Sequence, residues 1–310
     1  MTRNPTIGFV GVGLMGHGMA KNIVEKGFPL RVIAYRKREA VDDLVGRGAV
    51  EVGSLAEMAD QCDAVVLCVT GAPEVAATVE ALLLTARPGF AIIDATTSEP
   101  DLSERLAADL AARDMTFLDA PMSRTPAHAW SGELTTYCGG PPELIEAWRP
   151  LISTWASTII PTGGPVGSAH ALKLINNLVG LGYAAIWAEC YAMVAKVGAD
   201  PAVFRAIVSG SGLNCGNFQA FSDYAVNRDA SAHRFTIANG FKDLGYYQRL
   251  ANSHRAATFM SDAAHQTLKL AMAMGMAGRY VPEVGDALLA LNDPPPLPRP
   301  APGPDLSDAI

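Results

Sequence analysis

A short apolar run that passes directly into a glycine-rich turn constrains this chain more than any other feature. Residues 7–10 have the pattern of a buried strand, and Gly11, Gly13 and Gly16 follow it with the spacing G-x-G-x-x-G. The first glycine permits a tight turn, the second lets a ligand approach the backbone, and the third allows close packing of the helix that begins here. The order strand, glycine turn, helix predicts a binding site for the phosphates of a dinucleotide at the helix N-terminus. The residues that form it are Gly11, Gly13, Leu14, Met15 and Gly16.

Strand and helix patterns alternate over the first half of the chain. Beyond the first strand, apolar runs at residues 30–35, 64–69, 91–95 and 116–119 predict four more strands, and helical patterns lie between them at residues 19–26, 40–47, 74–83 and 102–113. Such alternation predicts an α/β fold, an N-terminal Rossmann domain built on a doubly wound parallel sheet. Shorter strand patterns at residues 134–138 and 158–161, around a helix at 142–154, are expected to extend the same sheet.

The pattern changes at Gly167, beyond which long Ala-, Leu- and Met-rich helical segments replace the strands. Helices are expected at residues 168–197, 201–208, 217–226, 240–253 and 260–274. We therefore predict a Rossmann domain at residues 1–164, an all-α substrate and oligomerisation domain at 165–292, and a proline-rich disordered tail at 293–310.

Composition argues against several classes of protein. With 24 Lys and Arg against 31 Asp and Glu, the chain lacks a basic field for nucleic acid or anionic lipid. Residues 178–195 approach the apolarity of a membrane span, but Glu189 and two glycines interrupt them, so a long buried helix is expected. The five cysteines form no C-x-x-C pair, the six histidines show no metal-ligand spacing, and no signal peptide is recognisable. A cytoplasmic protein without a metal centre is the expectation.

The end of the second predicted strand indicates the form of the cofactor. An acidic residue at this point would receive the ribose 2'-hydroxyl of NAD(H), but the chain reads Tyr35, Arg36, Lys37 and Arg38. An arginine can bind a 2'-phosphate through parallel charge-assisted hydrogen bonds and can stack on adenine. We predict NADP(H) in preference to NAD(H); a solvated basic turn is the alternative.

Candidate chemistry lies near the start of the helical domain. Lys173 and Asn177 are four residues apart, so both face the same side of a helix. Beside a nicotinamide ring, a lysine can protonate a carbonyl oxygen as hydride arrives, or remove the alcohol proton in the reverse direction. Burial and the positive charge of an oxidised ring would both lower its pKa toward neutrality. The alternative is a surface lysine that packs only its alkyl chain.

These residues resemble a known family, the β-hydroxyacid dehydrogenases, which include 3-hydroxyisobutyrate dehydrogenases and related semialdehyde reductases. The resemblance extends to about residue 291, and its motifs lie at residues 8–16, at Asp-Ala-Pro-Met-Ser in 119–123, at 167–177, and at Lys242-Asp243. It implies that Lys173 is the general acid or base, and that Asn177 and Ser123 orient the substrate. It further implies that Lys242, supported by Asp243, helps to close the site. The nicotinamide end is then lined by Val69, Thr70 and Thr96, and homodimers or homotetramers with interlocking helical domains are expected.

The chain departs from the family pattern just after Ser123. Many relatives have two glycines at positions occupied here by Arg124 and Thr125. A guanidinium and a hydroxyl at these positions suggest that the substrate carries a larger or more highly charged anionic group, or that its carboxylate is bound more tightly. The pair resembles that of sulfolactaldehyde reductases, in which it belongs to the sulfonate site, although those enzymes have glycine at the Ser123 position and favour NADH. A structural salt bridge or an outward-facing side chain is the alternative for Arg124.

Three functions are compatible with these features. The first is an NADP(H)-dependent oxidoreductase that interconverts a short 3-hydroxy acid, or its sulfonate analogue, with the matching semialdehyde. The second is an NADPH-dependent imine reductase, although such enzymes typically carry Asp or Tyr at the position of Lys173. The third is a non-catalytic NADP(H)-binding sensor, which would have no need of Lys173, Asn177 and Ser123.

Overall fold

The computed structural model describes residues 4–35 and 38–292. Its first half contains a six-stranded sheet in which every neighbouring pair of strands is parallel, in the order β3-β2-β1-β4-β5-β6. The strands are β1 (Ile7–Val10), β2 (Leu30–Val32), β3 (Val50–Glu51), β4 (Ala64–Leu67), β5 (Ala91–Asp94) and β6 (Thr116–Asp119). The order reverses between β1 and β4, so the carboxyl ends of these strands form a crevice, as in other doubly wound folds.

Five helices connect these strands and cover the two faces of the sheet: α1 (Gly16–Glu25), α2 (Glu39–Gly46), α3 (Leu55–Gln61), α4 (Ala72–Leu82) and α5 (Pro100–Ala111). The predicted α/β class is confirmed. Sequence reasoning missed β3, which has only two residues, both exposed, and also missed α3. A signal for α3 was present, since Ser54 accepts a hydrogen bond from the backbone N–H of Glu57 in an S-x-x-E pattern.

The next strands form a separate three-stranded sheet, so the expectation that they extend the first sheet is wrong. This sheet contains β7 (Met122–Ser123), β8 (Leu134–Cys138) and β9 (Ala156–Pro161), with α6 (Pro126–Ser131) and α7 (Pro142–Ile152) between the strands. The chain runs on past Pro121 without reversing, and β7 pairs antiparallel with β8, so β8 lies beside the segment that follows β6 and not along β6 itself. An isolated bridge between Asp119 and Gly139 joins the two sheets.

The remaining described residues form a helical domain: α8 (Ser168–Lys196), α9 (Pro201–Ser209), α10 (Gly216–Asn227), α11 (Ile237–Ser253), α12 (Phe259–Ala273), a 3-10 turn at Val281–Glu283, and α13 (Val284–Asn292). The domain has its own apolar core, but Leu174 of α8 and Tyr246 of α11 belong to the core beneath the large sheet. The two parts are therefore packed together, and the crevice at the strand ends faces the helices.

Helix α8 is long and apolar enough to cross a membrane, but only 33% of its most apolar window is buried inside the protein. The expectation of a buried helix is thus met on one side only. The other side, together with the C-cap residue Val197, carries a line of large apolar side chains that are each more than two-fifths exposed: Leu172, Ile175, Val179, Tyr183, Ile186, Met193 and Val197. We call this line the exposed face of α8.

Candidate active site

The glycine turn between β1 and α1 has the shape of a phosphate cradle. A Cβ on Gly11, whose φ is +101°, would lie 2.2 Å from the carbonyl oxygen of Cys68, and one on Gly16 would lie 2.0 Å from that of Gly11. A Cβ on Gly13 would meet nothing within 4 Å. Packing of the chain thus requires the first and third glycines, whereas Gly13 faces open space in front of the N-terminus of α1. The residues present fit a dinucleotide pyrophosphate.

The neighbouring Leu14 and Met15 complete this turn in different ways. The side chain of Leu14 is 58% exposed, whereas Met15 packs partly against the core. Met15 occupies the N-cap position and makes no side-chain cap, and the N–H of His17 donates to the carbonyl oxygen of Gly13 at 2.9 Å, so no side chain covers the N-terminus of α1.

The basic turn after β2 is only partly described, because Arg36 and Lys37 lie outside the described residues. Tyr35 is 88% exposed at its edge. The guanidinium of Arg38 forms ion pairs with Asp42 at 3.1 Å and Glu51 at 3.0 Å. A 2'-phosphate would therefore compete with two carboxylates for Arg38.

Loops after β4 and β5 meet at the mouth of the crevice. The hydroxyl of Thr96 accepts a hydrogen bond from the backbone N–H of Val69 at 3.1 Å, and the N–H of Thr96 donates to buried Asp94 at 2.9 Å. Thr70 is exposed beside Val69. The structure thus brings together Val69, Thr70 and Thr96, the three residues assigned to the nicotinamide end.

Lys173 and Asn177 lie one turn apart on α8, facing Asp243 of α11. The Nδ2 of Asn177 donates to Asp243 Oδ2 at 2.7 Å, and Lys242 Nζ donates to Asp243 Oδ1 at 2.7 Å. Burial lowers the pKa of Lys173 below its usual value; the positive charge of Lys242 adds to this effect, and the negative charge of Asp243 opposes it. The structure therefore brings Asn177, Lys242 and Asp243 together near Lys173, whose ammonium proton is easier to remove than usual.

Lys242 also connects α11 to the Rossmann sheet. Its ammonium donates to the carbonyl oxygen of Thr97 at 3.3 Å and lies 4.6 Å from the ring centroid of Tyr246. The hydroxyl of Tyr246 accepts from the backbone N–H of Ala72 at 2.9 Å, at the start of α4. Sequence reasoning missed Tyr246, since a tyrosine four residues after a lysine has the spacing of an ordinary helix face. Lys242 and Tyr246 thus join the helical domain to the loop after β5 and to the start of α4.

The segment after β6 presents a second polar group of side chains. Tyr137 of β8 donates from its hydroxyl to Ser123 Oγ at 3.1 Å, and His128 Nδ1 lies 2.7 Å from the hydroxyl of Thr125. Arg124 is exposed and has a φ of +87°, in the left-handed region that favours glycine. Sequence reasoning missed Tyr137 and His128, because their partners are set by strand pairing and by a short helix that it did not predict.

A buried carboxylate joins this segment to the helix that carries Lys173. Asp119, the last residue of β6, accepts hydrogen bonds through Oδ2 from the backbone N–H groups of Ala169 and His170 at 2.9 and 3.0 Å. An anion at a helix N-terminus is favoured by the free N–H groups and by the helix dipole. The start of the Ser123 segment is therefore tied to the first turn of α8.

A phosphate cradle on a Rossmann sheet, with a lysine and an amide at the junction to a helical domain, defines the class of nicotinamide-dependent dehydrogenases. Two family models match the chain: the NAD binding domain of 6-phosphogluconate dehydrogenase over residues 6–164, and the NAD-binding domain of NADP-dependent 3-hydroxyisobutyrate dehydrogenase over residues 167–281. The chain belongs to the β-hydroxyacid dehydrogenase family, whose members act on CH–OH donors.

Individual relatives agree with this assignment. The chain is 29% identical to mitochondrial 3-hydroxyisobutyrate dehydrogenase of Bos taurus, over 89% of this chain and 84% of the relative. It is also 29% identical to 3-sulfolactaldehyde reductase of Escherichia coli, over 87% of this chain and 91% of the relative. The solved structure of a 3-hydroxyisobutyrate dehydrogenase from Salmonella typhimurium superimposes with a TM-score of 0.82 at 25% identity, covering 91% of this chain and 99% of that one.

Proposed function

We propose that this protein is an NADP(H)-dependent oxidoreductase that interconverts a short 3-hydroxy acid, or its sulfonate analogue, with the matching semialdehyde. The observation that carries the proposal is Lys173, whose pKa is lowered by burial and which shares its surroundings with Asn177, Lys242 and Asp243. This grouping supplies a proton donor and acceptor at the junction between the two domains.

The cofactor, when bound, supplies or accepts the hydride. The chain's own residues handle the proton and the substrate. Lys173 Nζ gives its proton to the carbonyl oxygen during reduction and takes the alcohol proton during oxidation. Asn177, held by Asp243, and Ser123, held by Tyr137, present hydrogen-bonding groups for the substrate oxygens. Lys242 keeps the helical domain against the loop after β5, which limits the access of water.

The anionic end of the substrate is assigned to Arg124 and Thr125. A guanidinium can bind a carboxylate or a sulfonate through two parallel hydrogen bonds, and a neighbouring hydroxyl adds a third donor. The left-handed backbone of Arg124 supports this assignment, because a position with φ of +87° disfavours side chains unless another benefit offsets the cost. The similarity to 3-sulfolactaldehyde reductase supports a sulfonate as one candidate anion.

NADP(H) preference is proposed from the charges of Arg36, Lys37 and Arg38. Catalytic efficiencies measured with NADPH and NADH test it directly. Equal values for the two cofactors would overturn the 2'-phosphate assignment. The variant Arg36→Ser is expected to reduce the efficiency with NADPH selectively, whereas Arg113→Ser, a change of the same kind after α5, is not.

Assembly into a homodimer is proposed from the exposed face of α8. Isolated apolar side chains are common on protein surfaces, but a continuous line of seven along one helix marks an interaction surface. A second copy of the chain is the proposed partner, and a tetramer would use the same face together with another.

The substrate class is tested with an NADPH-coupled panel of carboxylate, sulfonate and phosphonate semialdehydes of matched length, run on the wild-type protein and on Arg124→Gly. We expect turnover of at least one anionic semialdehyde, and a selective loss of that activity in the variant. Reduction of a cyclic imine without activity on any semialdehyde would favour an imine reductase. Tight NADPH binding without turnover across the panel would favour a sensor.

A further inference from the structure

His170 is a fully buried histidine for which the proposed proton transfer has no use. It lies in the first turn of α8, three residues before Lys173, where the helical domain meets the Rossmann sheet. A buried imidazole is costly unless both of its nitrogens find partners. The partners of His170 come from two other elements of the fold.

The two ring nitrogens have different partners. His170 Nε2 lies 2.9 Å from the carbonyl oxygen of Thr96, and Nδ1 lies 2.7 Å from the hydroxyl of Ser103 on α5. A carbonyl oxygen can only accept, so Nε2 carries the hydrogen and donates to Thr96. With the ring hydrogen on Nε2, Nδ1 is an acceptor, and the Ser103 hydroxyl donates to it at 2.7 Å in preference to the carbonyl oxygen of Glu99 at 3.3 Å. The contacts thus assign the Nε2–H tautomer.

Thr96 is held at each of its polar groups. Its N–H donates to Asp94, its hydroxyl accepts from Val69 N, and its carbonyl accepts from His170. Asp94 and Val69 belong to the sheet domain, whereas His170 belongs to the helix that carries Lys173. The ring of His170 therefore connects the loop at the nicotinamide end to the position of the proton donor.

Two buried carboxylates lie around this ring. Asp94 Oδ2 lies 3.9 Å from His170 Nε2, and Asp119 Oδ2 accepts from the backbone N–H of His170. Asp94 and Asp119 are register partners at the ends of β5 and β6. Within the described residues, each retains one buried oxygen without a hydrogen bond. Burial raises the pKa of Asp94. The ring of His170 thus lies beside the buried ends of β5 and β6, with its Nε2 bonded to the carbonyl oxygen of Thr96.

We propose that His170 is a positioning residue for the reaction: through Nε2–H it fixes the loop of Thr96 relative to α8, and thereby sets the position of Lys173 relative to the nicotinamide end. This role rests on the proposed function, because it places one part of that site against another. It predicts that the Thr96 contact affects turnover, whereas the Ser103 contact contributes mainly to stability.

Two conservative variants separate these contacts. The amide nitrogen of Gln can reach the position of Nε2, whereas the amide of Asn reaches only that of Nδ1. We expect His170→Asn and His170→Ala to lower kcat by about tenfold or more, since small displacements of reacting groups are costly. His170→Gln is expected to retain most of kcat, and Ser103→Ala is expected to lower the melting temperature with kcat within about twofold of wild type. His254→Gln, an exposed change at the end of α11, is the control.

The kinetic outcomes decide between a positioning and a merely structural role. Equal kcat for His170→Gln and His170→Asn, or a loss of kcat that follows the melting temperature across all variants, would overturn the proposal. A wild-type protein that turns over no substrate in the panel would instead refute the proposed function, which keeps the two failures distinct.

A measurement on the wild-type protein tests the tautomer of His170 directly. In protein labelled with 15N-histidine, long-range 1H–15N spectra report the tautomer of each ring, and His170→Gln assigns the signal. We expect a neutral Nε2–H ring whose Nε2 signal shifts on addition of NADPH. An Nδ1–H tautomer, or a signal indifferent to NADPH at saturation, would contradict the assignment.

Discussion

Asn177 Nδ2 donates a 2.7 Å hydrogen bond to Oδ2 of Asp243, which lies 66 residues further along the chain. The other oxygen of the same carboxylate accepts from Lys242. Asp243 thereby fixes the orientation of one amide and neutralises one ammonium group, while its charge also opposes the lowering of the pKa of Lys173. A single buried carboxylate thus links the geometry of the site to its protonation.

Removal of the proton donor is expected to abolish most of the reaction. Lys173→Ala should lower kcat by a factor of about 10² to 10⁴, the usual contribution of general acid–base catalysis, while NADPH binding measured by fluorescence is retained. Lys269→Ala on α12, an exposed lysine far along the chain, serves as the control. Wild-type turnover in Lys173→Ala would exclude Lys173 as the acid or base.

The charges around Lys173 predict opposite shifts of the pH profile. Reduction needs protonated Lys173, so reductive kcat falls as pH rises through its lowered pKa, below the usual 10.5. Asp243→Asn removes the charge that raises this pKa and should move the fall to lower pH. Lys242→Met removes a charge that lowers it and should move the fall to higher pH. Shifts in the same direction would show that another group controls the profile.

The variant Arg124→Gly is expected to be more stable and less active than the wild-type protein. Glycine adopts a φ of +87° freely, so removal of the strained arginine should raise the free energy of unfolding by about 1 kcal/mol. Loss of charge-assisted hydrogen bonds should lower kcat/KM for the anionic substrate by about tenfold or more. Thermal unfolding and steady-state kinetics measure both. A variant that is less stable, with unchanged kcat/KM, would assign Arg124 a structural ion pair instead.

Two glycines of the first turn, Gly13 and Gly16, are expected to respond differently to alanine. Gly13→Ala should leave the melting temperature unchanged and weaken NADPH binding, since its Cβ meets no protein atom within 4 Å but enters the space in front of α1. Gly16→Ala should destabilise the fold itself, because its Cβ would overlap the carbonyl oxygen of Gly11. Calorimetry and cofactor titration distinguish the two. Unchanged NADPH affinity in Gly13→Ala would place the pyrophosphate elsewhere.

Tyr137→Phe removes the hydroxyl that donates to Ser123 and should raise KM for the semialdehyde by about three- to tenfold, the usual value of one hydrogen bond. If Tyr137 acts through Ser123, the combined variant Tyr137→Phe and Ser123→Ala should show little effect beyond that of Ser123→Ala. Additive effects in this cycle would mean that Tyr137 contacts the substrate independently.

The proposed role of the exposed face of α8 in dimerisation is tested by placing a charged side chain on it. Val179→Asp is expected to dissociate the dimer into monomers in analytical ultracentrifugation, because an unpaired carboxylate in a closed apolar interface is costly. Leu84→Asp, at a similarly exposed leucine after α4, is the control. A wild-type monomer at all concentrations, or a dimer unaffected by Val179→Asp, would assign the face to another partner.

The local patterns were sufficient for five of the six strands of the first sheet and for the glycine turn after β1. The apolar run of β1 and the glycine spacing after it fix their conformations through interactions between near neighbours, and so does the placement of Lys173 and Asn177 on one helix face. The two-residue β3 and β7 carry too few side chains for a periodicity, and were missed.

The remaining features of the fold and the site depend on contacts between segments that are distant in the sequence. Whether β8 pairs along β6 or with the segment beyond Pro121 depends on the register between distant segments, which the pattern of β8 does not encode. The partners of Asn177 and Tyr137 depend on packing in the same way. The sequence by itself determined the class of fold, the glycine turn after β1 and the placement of Lys173, the proposed proton donor, on the same helix face as Asn177, because these depend on neighbouring residues. Only the tertiary structure decided which carboxylate faces that lysine and that Arg124 has a left-handed backbone, because both follow from contacts between distant segments.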